Sequence, residues 1–387
     1  MRKIITSILL SISLVANATI SEGTIGSCQW SVDSKTGILK ITGNGSMGDV
    51  SSEKSPLRYY KDIVKEIYIE SGVTDIGRDA FYNFKQLRSI SIPNTVTSIG
   101  NSAFYNCTNL ESIKLPESIV IIKSYAFDSC KSLISISIPN SVREIEPFAF
   151  RSCESLKSVI LSKSLEKLGY SSFSDCSSLE AITIPEGITS IEYATFIRCS
   201  NLKYILLPKS IVSIGESAFA DCSSLQDVYC LCSEFPNCSK KIFDNSYVQY
   251  AILHVPTESI VKYRAWGFGS IVPLTDEDYV EKICKTPTIN YSNGKISYSC
   301  DTEGVTFISE ITCDDIQTFE SSEINLNFTY TVSVYATKLG YINSPTAYKT
   351  LQISANNEDG SMLGDVNKDG NVDISDIVSI INIIAKQ

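Results

Sequence analysis

The 387-residue chain has one histidine, His254, and that scarcity excludes most acid–base catalysis at the outset. A serine or cysteine nucleophile needs a neighbouring base, and a lone histidine between apolar neighbours reads as a core or edge residue. No glycine-rich loop follows a strand, so a phosphate cradle is missing too. Carboxylates are plentiful, but nothing pairs two of them across a cleft as glycoside hydrolysis requires. The chain reads as non-catalytic. Basic residues are also in deficit, 33 Lys and Arg against 43 Asp and Glu, which disfavours nucleic acid and anionic membrane surfaces as partners. No apolar run reaches the ~20 residues of a spanning helix.

The longest apolar run, Ile4 to Val15, follows Arg2 and Lys3 and precedes Ala16-Asn17-Ala18. It reads as a secretory signal over 1–18, which places the protein outside the cell or on its surface. Loss of Arg2 and Lys3 makes the formal charge of −10 two units more negative.

What the sequence has in abundance is repetition. Phe81, Phe104, Phe127, Phe150, Phe173, Phe196 and Phe219 lie 23 residues apart, Leu87 through Leu225 keep step, and so do Cys107, Cys130, Cys153, Cys176, Cys199 and Cys222. Phe84 takes the cysteine position in the first unit. One unit runs from Val96 to Ser118, and its apolar residues (Val96, Ile99, Ala103, Phe104, Cys107, Leu110, Ile113, Leu115) follow neither a helical nor a strand period for long. Such a unit turns repeatedly. Burying those side chains within one unit cannot offset the entropy of fixing its backbone, so each unit needs neighbours and the units stack into a solenoid. A short parallel strand is expected at Leu110 to Leu115 and its equivalents, ended by prolines 93, 116, 139, 185 and 208.

This pattern resembles the BspA-type leucine-rich repeats of bacterial surface and secreted proteins, over residues 61–230. The resemblance implies a binding solenoid whose partner is a host or bacterial surface protein, or a glycan. Residues 19–60 read as an N-terminal cap around Ile38-Leu39-Lys40-Ile41, and 231–284 as the irregular C-terminal cap. With Ile113 and Leu115 inward, alternate residues of each strand point outward. The outward columns are serine-rich early and apolar late, and Ile160, Tyr204, Leu206 and Tyr229 are the candidate ligand-binding residues. Cover by the terminal cap is the competing reading.

The repeated cysteines are expected to be buried free thiols acting as small hydrophobes, since Phe84 shares their slot. A bridge is expected among Cys230, Cys232 and Cys238 in preference to zinc, which three cysteines without histidine leave incomplete.

From about Pro287 the pattern becomes short alternating strands, Ile289 and Tyr291 before Ser292-Asn293-Gly294, then Ile296 and Tyr298. Residues 285–355 read as a small β-sandwich similar to fibronectin-type-III spacers, and 356–363 as a linker. Residues 365–376, D-V-N-K-D-G-N-V-D-I-S-D, place oxygen ligands at the spacing of a calcium loop. Asp365, Asn367, Asp369 and Asp376 are expected to bind Ca2+ by side chain, Asn371 by its carbonyl, and Asp373 directly or through water. Residues 364–387 resemble one dockerin repeat, where dockerins usually carry two. The resemblance implies a cohesin-like partner facing Ile374 and Ser375, and membership of a polysaccharide-degrading assembly as the alternative to adhesion. The helix that follows, with Ile377, Val378, Ile380, Ile381, Ile383 and Ile384, is apolar on more than one side. The fold class expected for the chain is α+β to β-rich: a solenoid of 23-residue coils, a sandwich and a calcium-loop helix.

Overall fold

The computed structural model describes residues 20–274, 287–292, 295–302, 305–313, 327–337 and 347–354. It divides into two units, 1–275 and 276–387. The signal segment, the linker and the whole calcium loop, with Ile374 and Ser375, lie outside the described residues.

The first unit is a series of stacked coils held by parallel ladders. One ladder carries the expected strands: Glu66–Ile69, Ser89–Ser91, Ser135–Ser137, Ser158–Ile160, Ala181–Thr183, Tyr204–Leu207 and Asp227–Cys230, continuing through Ile252–Val255 to Ser270–Pro273. The strand at Leu110 to Leu115 does not form, and the ladder is interrupted in that coil and again between Ser158–Ile160 and Ala181–Thr183. Even so Ile113 and Leu115 are buried while Ser112 and Lys114 are exposed, so the alternation holds without the strand.

A second ladder was not expected. It joins Gly45–Ser46, Val73–Ile76, Ser98–Ile99, Ile121–Ile122, Glu144–Ile145 and Lys167–Leu168, then Ser190–Ile191, Ser213–Ile214 and Asn237–Cys238. Most of its strands are two residues long, too short for alternation to reveal them.

Between the ladders the chain turns through residues of positive φ, two per coil and four apart: Asp79 and Asn83, Ser102 and Asn106, Tyr125 and Ser129, and onward. A non-glycine residue in this region costs about 1–3 kcal/mol. The cost is offset because the turn aims alternate N–H groups along the stack. Asp79, Phe81 and Asn83 donate to the carbonyls of Asn101, Ala103 and Tyr105 at 2.8–3.0 Å, and the same triplet recurs in the next coils. Without it those interior N–H groups would lose their partners.

Inside, the phenylalanines stack face to face, with centroids 5.2 Å apart for Phe104 and Phe127 and 5.1 Å for Phe150 and Phe173. Charged residues pair across coils outside, as in Lys131–Glu154 and Arg198–Asp175. The N-terminal end is an antiparallel unit, Ile20–Ile25, Cys28–Asp33 and Ile38–Gly43, whose last strand pairs in parallel with Glu66–Ile69. At the other end Phe243, Tyr263, Trp266 and Phe268 close over the phenylalanine column, Phe243 lying 5.6 Å from Phe219.

The cysteine slot is more than an apolar filler. Each thiol donates to the carbonyl of the phenylalanine one coil back, Cys107 to Phe81 and Cys153 to Phe127 at 3.3 Å, and Cys222 to Phe196 at 3.2 Å. Phe84 stands in the first such coil, where no earlier phenylalanine of the column waits for a donor. The next coil after Cys222 fills the slot with Ser246, fully buried, whose hydroxyl donates to Phe219 at 2.6 Å and accepts from the Cys222 N–H at 3.0 Å. The slot therefore continues past residue 230. Burial raises the Cys107 and Cys199 thiols far above their ordinary range, so they stay protonated donors.

The expected bridge is not made. Cys230 donates to the Tyr263 hydroxyl at 3.3 Å, Cys232 to the Pro208 carbonyl at 3.2 Å, and Cys238 accepts from Trp266 Nε1 at 3.4 Å.

The second unit contains an antiparallel hairpin, Thr288–Ser292 with Lys295–Ser299, and an antiparallel sheet of Thr306–Cys313, Asn327–Thr337 and Ala347–Ser354. Ile289, Val332 and Val334 form its small core. No α-helix occurs among the described residues, only short 3-10 turns, so the α+β expectation is corrected to an almost purely β chain there.

Candidate interaction surface

The parallel register of the first ladder decides which side chains meet. Ala181, Tyr204, Asp227, Ile252 and Ser270 form one outward column, and Thr183, Leu206, Tyr229, His254 and Val272 the other. Earlier coils carry Ser89, Ser135, Ser137 and Ser158 in the same places, so small hydroxyls give way to larger groups along the face.

Among the four candidate residues, Ile160, Tyr204 and Leu206 are half-buried, and Tyr229 is buried at 6% exposure. The expectation of an open apolar patch is corrected at Tyr229. Its ring lies flat against His254, centroids 4.2 Å apart and planes 13° from parallel, because the next strand of the cap continues the ladder. The register also brings His254 Nε2 within 2.7 Å of Asp227 Oδ1. His254 Nδ1 is buried with no partner. Beside them the Tyr204 hydroxyl donates to Gln226 Oε1 at 2.9 Å.

The result is a continuous cluster in three successive coils, Tyr204 and Leu206, then Asp227 and Tyr229, then Ile252 and His254, with Ile252 the most open at 37%. It combines aromatic area, a histidine–carboxylate hydrogen bond and exposed aliphatic surface on a flat backbone. Sequence reading placed His254 apart from this face. The reason is spacing: the step from Asp227 to Ile252 is two residues longer than the repeat, although the alternation Leu253-His254-Val255 is legible.

A second feature lies at the turns. Tyr82 stacks on Tyr105 at 4.8 Å, Tyr125 on Phe148 at 4.8 Å, and the Arg151 guanidinium lies 4.9 Å from the Phe148 ring centre. Arg151 also pairs at 2.6 Å with Asp128, which is fully buried. Burial raises the Asp128 carboxyl above its ordinary value, and Arg151 and Ser129 only partly oppose that. Its second role is to fix the coil junction, since its carbonyl accepts from Asn106.

The coil length, the stacked phenylalanines and the paired ladders coincide with a known repeat. The model of the BspA-type leucine-rich repeat region matches in six copies, over residues 57–164 and 120–250, about half of the chain. The chain belongs to the BspA-type leucine-rich repeats. Among solved structures it is similar to a leucine-rich repeat protein of T. pallidum, at 28% identity over 51% of this chain and 88% of that one, TM-score 0.41. A leucine-rich repeat protein of Eubacterium ventriosum gives 17% identity over 71% and 92%, TM-score 0.42. A leucine-rich cell surface protein of Faecalibacterium prausnitzii gives 20% over 66% and 95%, TM-score 0.31. No curated protein matches. The repeats are a non-catalytic kind of fold, and no helix among the described residues is long and apolar enough to cross a membrane.

Proposed function

We propose that this BspA-type repeat protein is a secreted or surface-held binding protein that recognises a protein ligand on the late strand face of its solenoid. The observation that carries the reading is the convergence of Tyr204, Leu206, Asp227, Ile252 and His254 in adjacent strands. Aromatic and aliphatic anchors beside a hydrogen-bonded polar pair are the chemistry of interface hot spots, and a rigid ladder presents them with little entropy to lose. The serine-rich early coils offer no such anchors. Ile160 lies two coils before Leu206 in the same outward column, and Tyr229 stands between Leu206 and His254.

The signal segment supports export. For attachment, the loop of Asp365, Asn367, Asp369, Asn371, Asp373 and Asp376 supports calcium binding, because hard oxygen ligands at that spacing suit the ion. In this reading residues 285–355 are a sandwich-like spacer, and the loop with Ile374 and Ser375 docks a cohesin-like partner. The dockerin-like loop also supports a second reading, a non-catalytic subunit of a polysaccharide-degrading assembly.

The test is twofold. Calcium titration by calorimetry of the full chain and of a chain ending at Ile353 is expected to show one site that vanishes on truncation; equal heats from both reject the calcium module. Tyr204→Ser with Leu206→Ser is expected to weaken binding to host or bacterial cells at least tenfold with folding preserved. Unchanged binding with lowered stability would instead make the cluster part of the cap.

A further inference from the structure

Away from the strand face, the last coil and the cap enclose a cleft of about 380 Å³, within the size range of small-molecule sites. Its lining includes Lys240, Asp244, Tyr247, Gln249 and Trp266. Some polar groups at or beside it are committed. Lys241 pairs with Glu216 at 3.3 Å, Asn245 donates to Asp221 at 3.0 Å, and Trp266 Nε1 donates to Cys238. The side chains of Lys240, Asp244, Tyr247 and Gln249 have no partner among the described residues.

Tyr247 is the aromatic member of the lining with a left-handed backbone. Its φ is +50°, and the residue is 54% exposed. The other left-handed aromatics, Tyr125 and Phe148, donate their N–H to the next coil, at 3.2 Å to Pro147 and 3.2 Å to Tyr170. The Tyr247 N–H makes no such bond among the described residues, so its strain is not offset by stacking. The conformation is imposed from both sides. Ser246 before it is locked to Phe219 and Cys222, and Tyr250 after it donates back to the Tyr247 carbonyl at 2.9 Å. An uncompensated outlier that holds an aromatic ring at the rim of a cleft is a mark of pre-organisation.

We propose that this cleft binds a neutral saccharide, with Tyr247 as the stacking platform and Gln249, Asp244 and Lys240 as partners for ring hydroxyls. The lining selects this class. Asp244 opposes an anion, Lys240 opposes a cation, and the polar wall opposes a purely apolar guest. A pyranose offers one apolar face to an aromatic ring and an edge of hydroxyls, each both donor and acceptor, to an amide and two opposite charges. An aromatic side chain has only two χ angles to order, so stacking costs it little freedom. The site is separate from the proposed protein-binding face, so either can fail alone.

The test is saturation-transfer NMR on the full chain with maltotriose, cellotriose and an oligogalacturonate as the acidic arm. Saturable binding of a neutral trisaccharide is expected. Tyr247→Phe is expected to stay within about threefold, while Tyr247→Ala and Tyr247→Gly weaken binding at least about tenfold. Tyr247→Gly is also expected to raise the thermal midpoint, since glycine adopts this φ without strain. That readout shows that lost binding is not lost folding. Tyr204→Ser with Leu206→Ser is expected to leave saccharide binding unchanged. Absence of neutral saccharide binding at about 20 mM, preference for the acidic arm, or binding undiminished in Tyr247→Ala and Tyr247→Gly would each overturn the proposal.

Discussion

The coils from Phe81 to Phe219 and the coils beyond Asp227 follow the same rules and use them differently. In the first group the core positions repeat at 23, so each core side chain meets its own kind: phenylalanine on phenylalanine, and cysteine under the carbonyl of the preceding phenylalanine. In the second group the ladder continues, but the steps change to 25 and then 18 residues. Unlike groups then meet: Tyr229 on His254, His254 on Asp227, Ser246 where cysteine stood. Regularity stabilises the stack, and its breakdown brings unlike side chains together.

That contrast is tested most strongly in the column. Phe150 is fully buried between Phe127 and Phe173, so Phe150→Ala is expected to cost about 3–5 kcal/mol in denaturant unfolding. Tyr250→Ala, at a residue 83% exposed beyond the regular coils, is expected to stay within about 0.5 kcal/mol. Equal effects would deny that the column carries the stack. The slot gives the next largest difference. Ser246→Val removes a donor to Phe219 and an acceptor for Cys222, and is expected to cost about 2–4 kcal/mol. Cys153→Val removes one weak donor to a carbonyl that also accepts from Cys130, and is expected to cost about 1 kcal/mol or less. If Cys153→Val cost as much as Ser246→Val, the slot would be a matter of volume alone.

These comparisons also mark where the sequence was legible. Period, core identity and strand-face alternation were readable because each recurs seven times. The second ladder was not, since two residues cannot display a period. The donor role of cysteine was hidden because Phe84 suggested a purely apolar slot; Ser246, three residues after Phe243 as Cys222 is after Phe219, was the signal that would have shown it. The candidate face was half legible. Tyr204 and Leu206 stood in register, while His254 was displaced by the lengthened step and its cover of Tyr229 went unseen.

Asp128 sharpens the comparison electrostatically. Other inter-coil ion pairs, such as Arg143 with Glu166, are solvent-exposed, whereas Asp128 is fully buried and its carboxyl is raised. A raised folded value means its contribution is fully present below the unfolded carboxyl value of about 3.9 and is lost as pH rises through the folded value. Asp128→Asn is therefore expected to flatten the stability profile above pH ~4, with the wild type losing ground to the variant as pH rises. Unfolding midpoints at a series of pH values decide it. A wild-type chain that gains on the variant over that range would mean Arg151 outweighs the burial.

The smallest expected effect concerns the backbone itself. Ala194 has φ +53°, is buried, and donates its N–H to Glu216 at 3.0 Å. Ala149 is equally buried but lies at an ordinary φ. Ala149→Gly is expected to cost about 1–2 kcal/mol through lost methyl packing and added chain entropy. Ala194→Gly loses the same methyl but relieves left-handed strain of about 1–2 kcal/mol, so the two nearly cancel and the change is expected within about 0.5 kcal/mol of zero. A difference between the two substitutions isolates the strain from the packing. If both cost the same, the left-handed turns are unstrained here, and the inter-coil N–H ladder would be a consequence of the coil shape with no cost to offset.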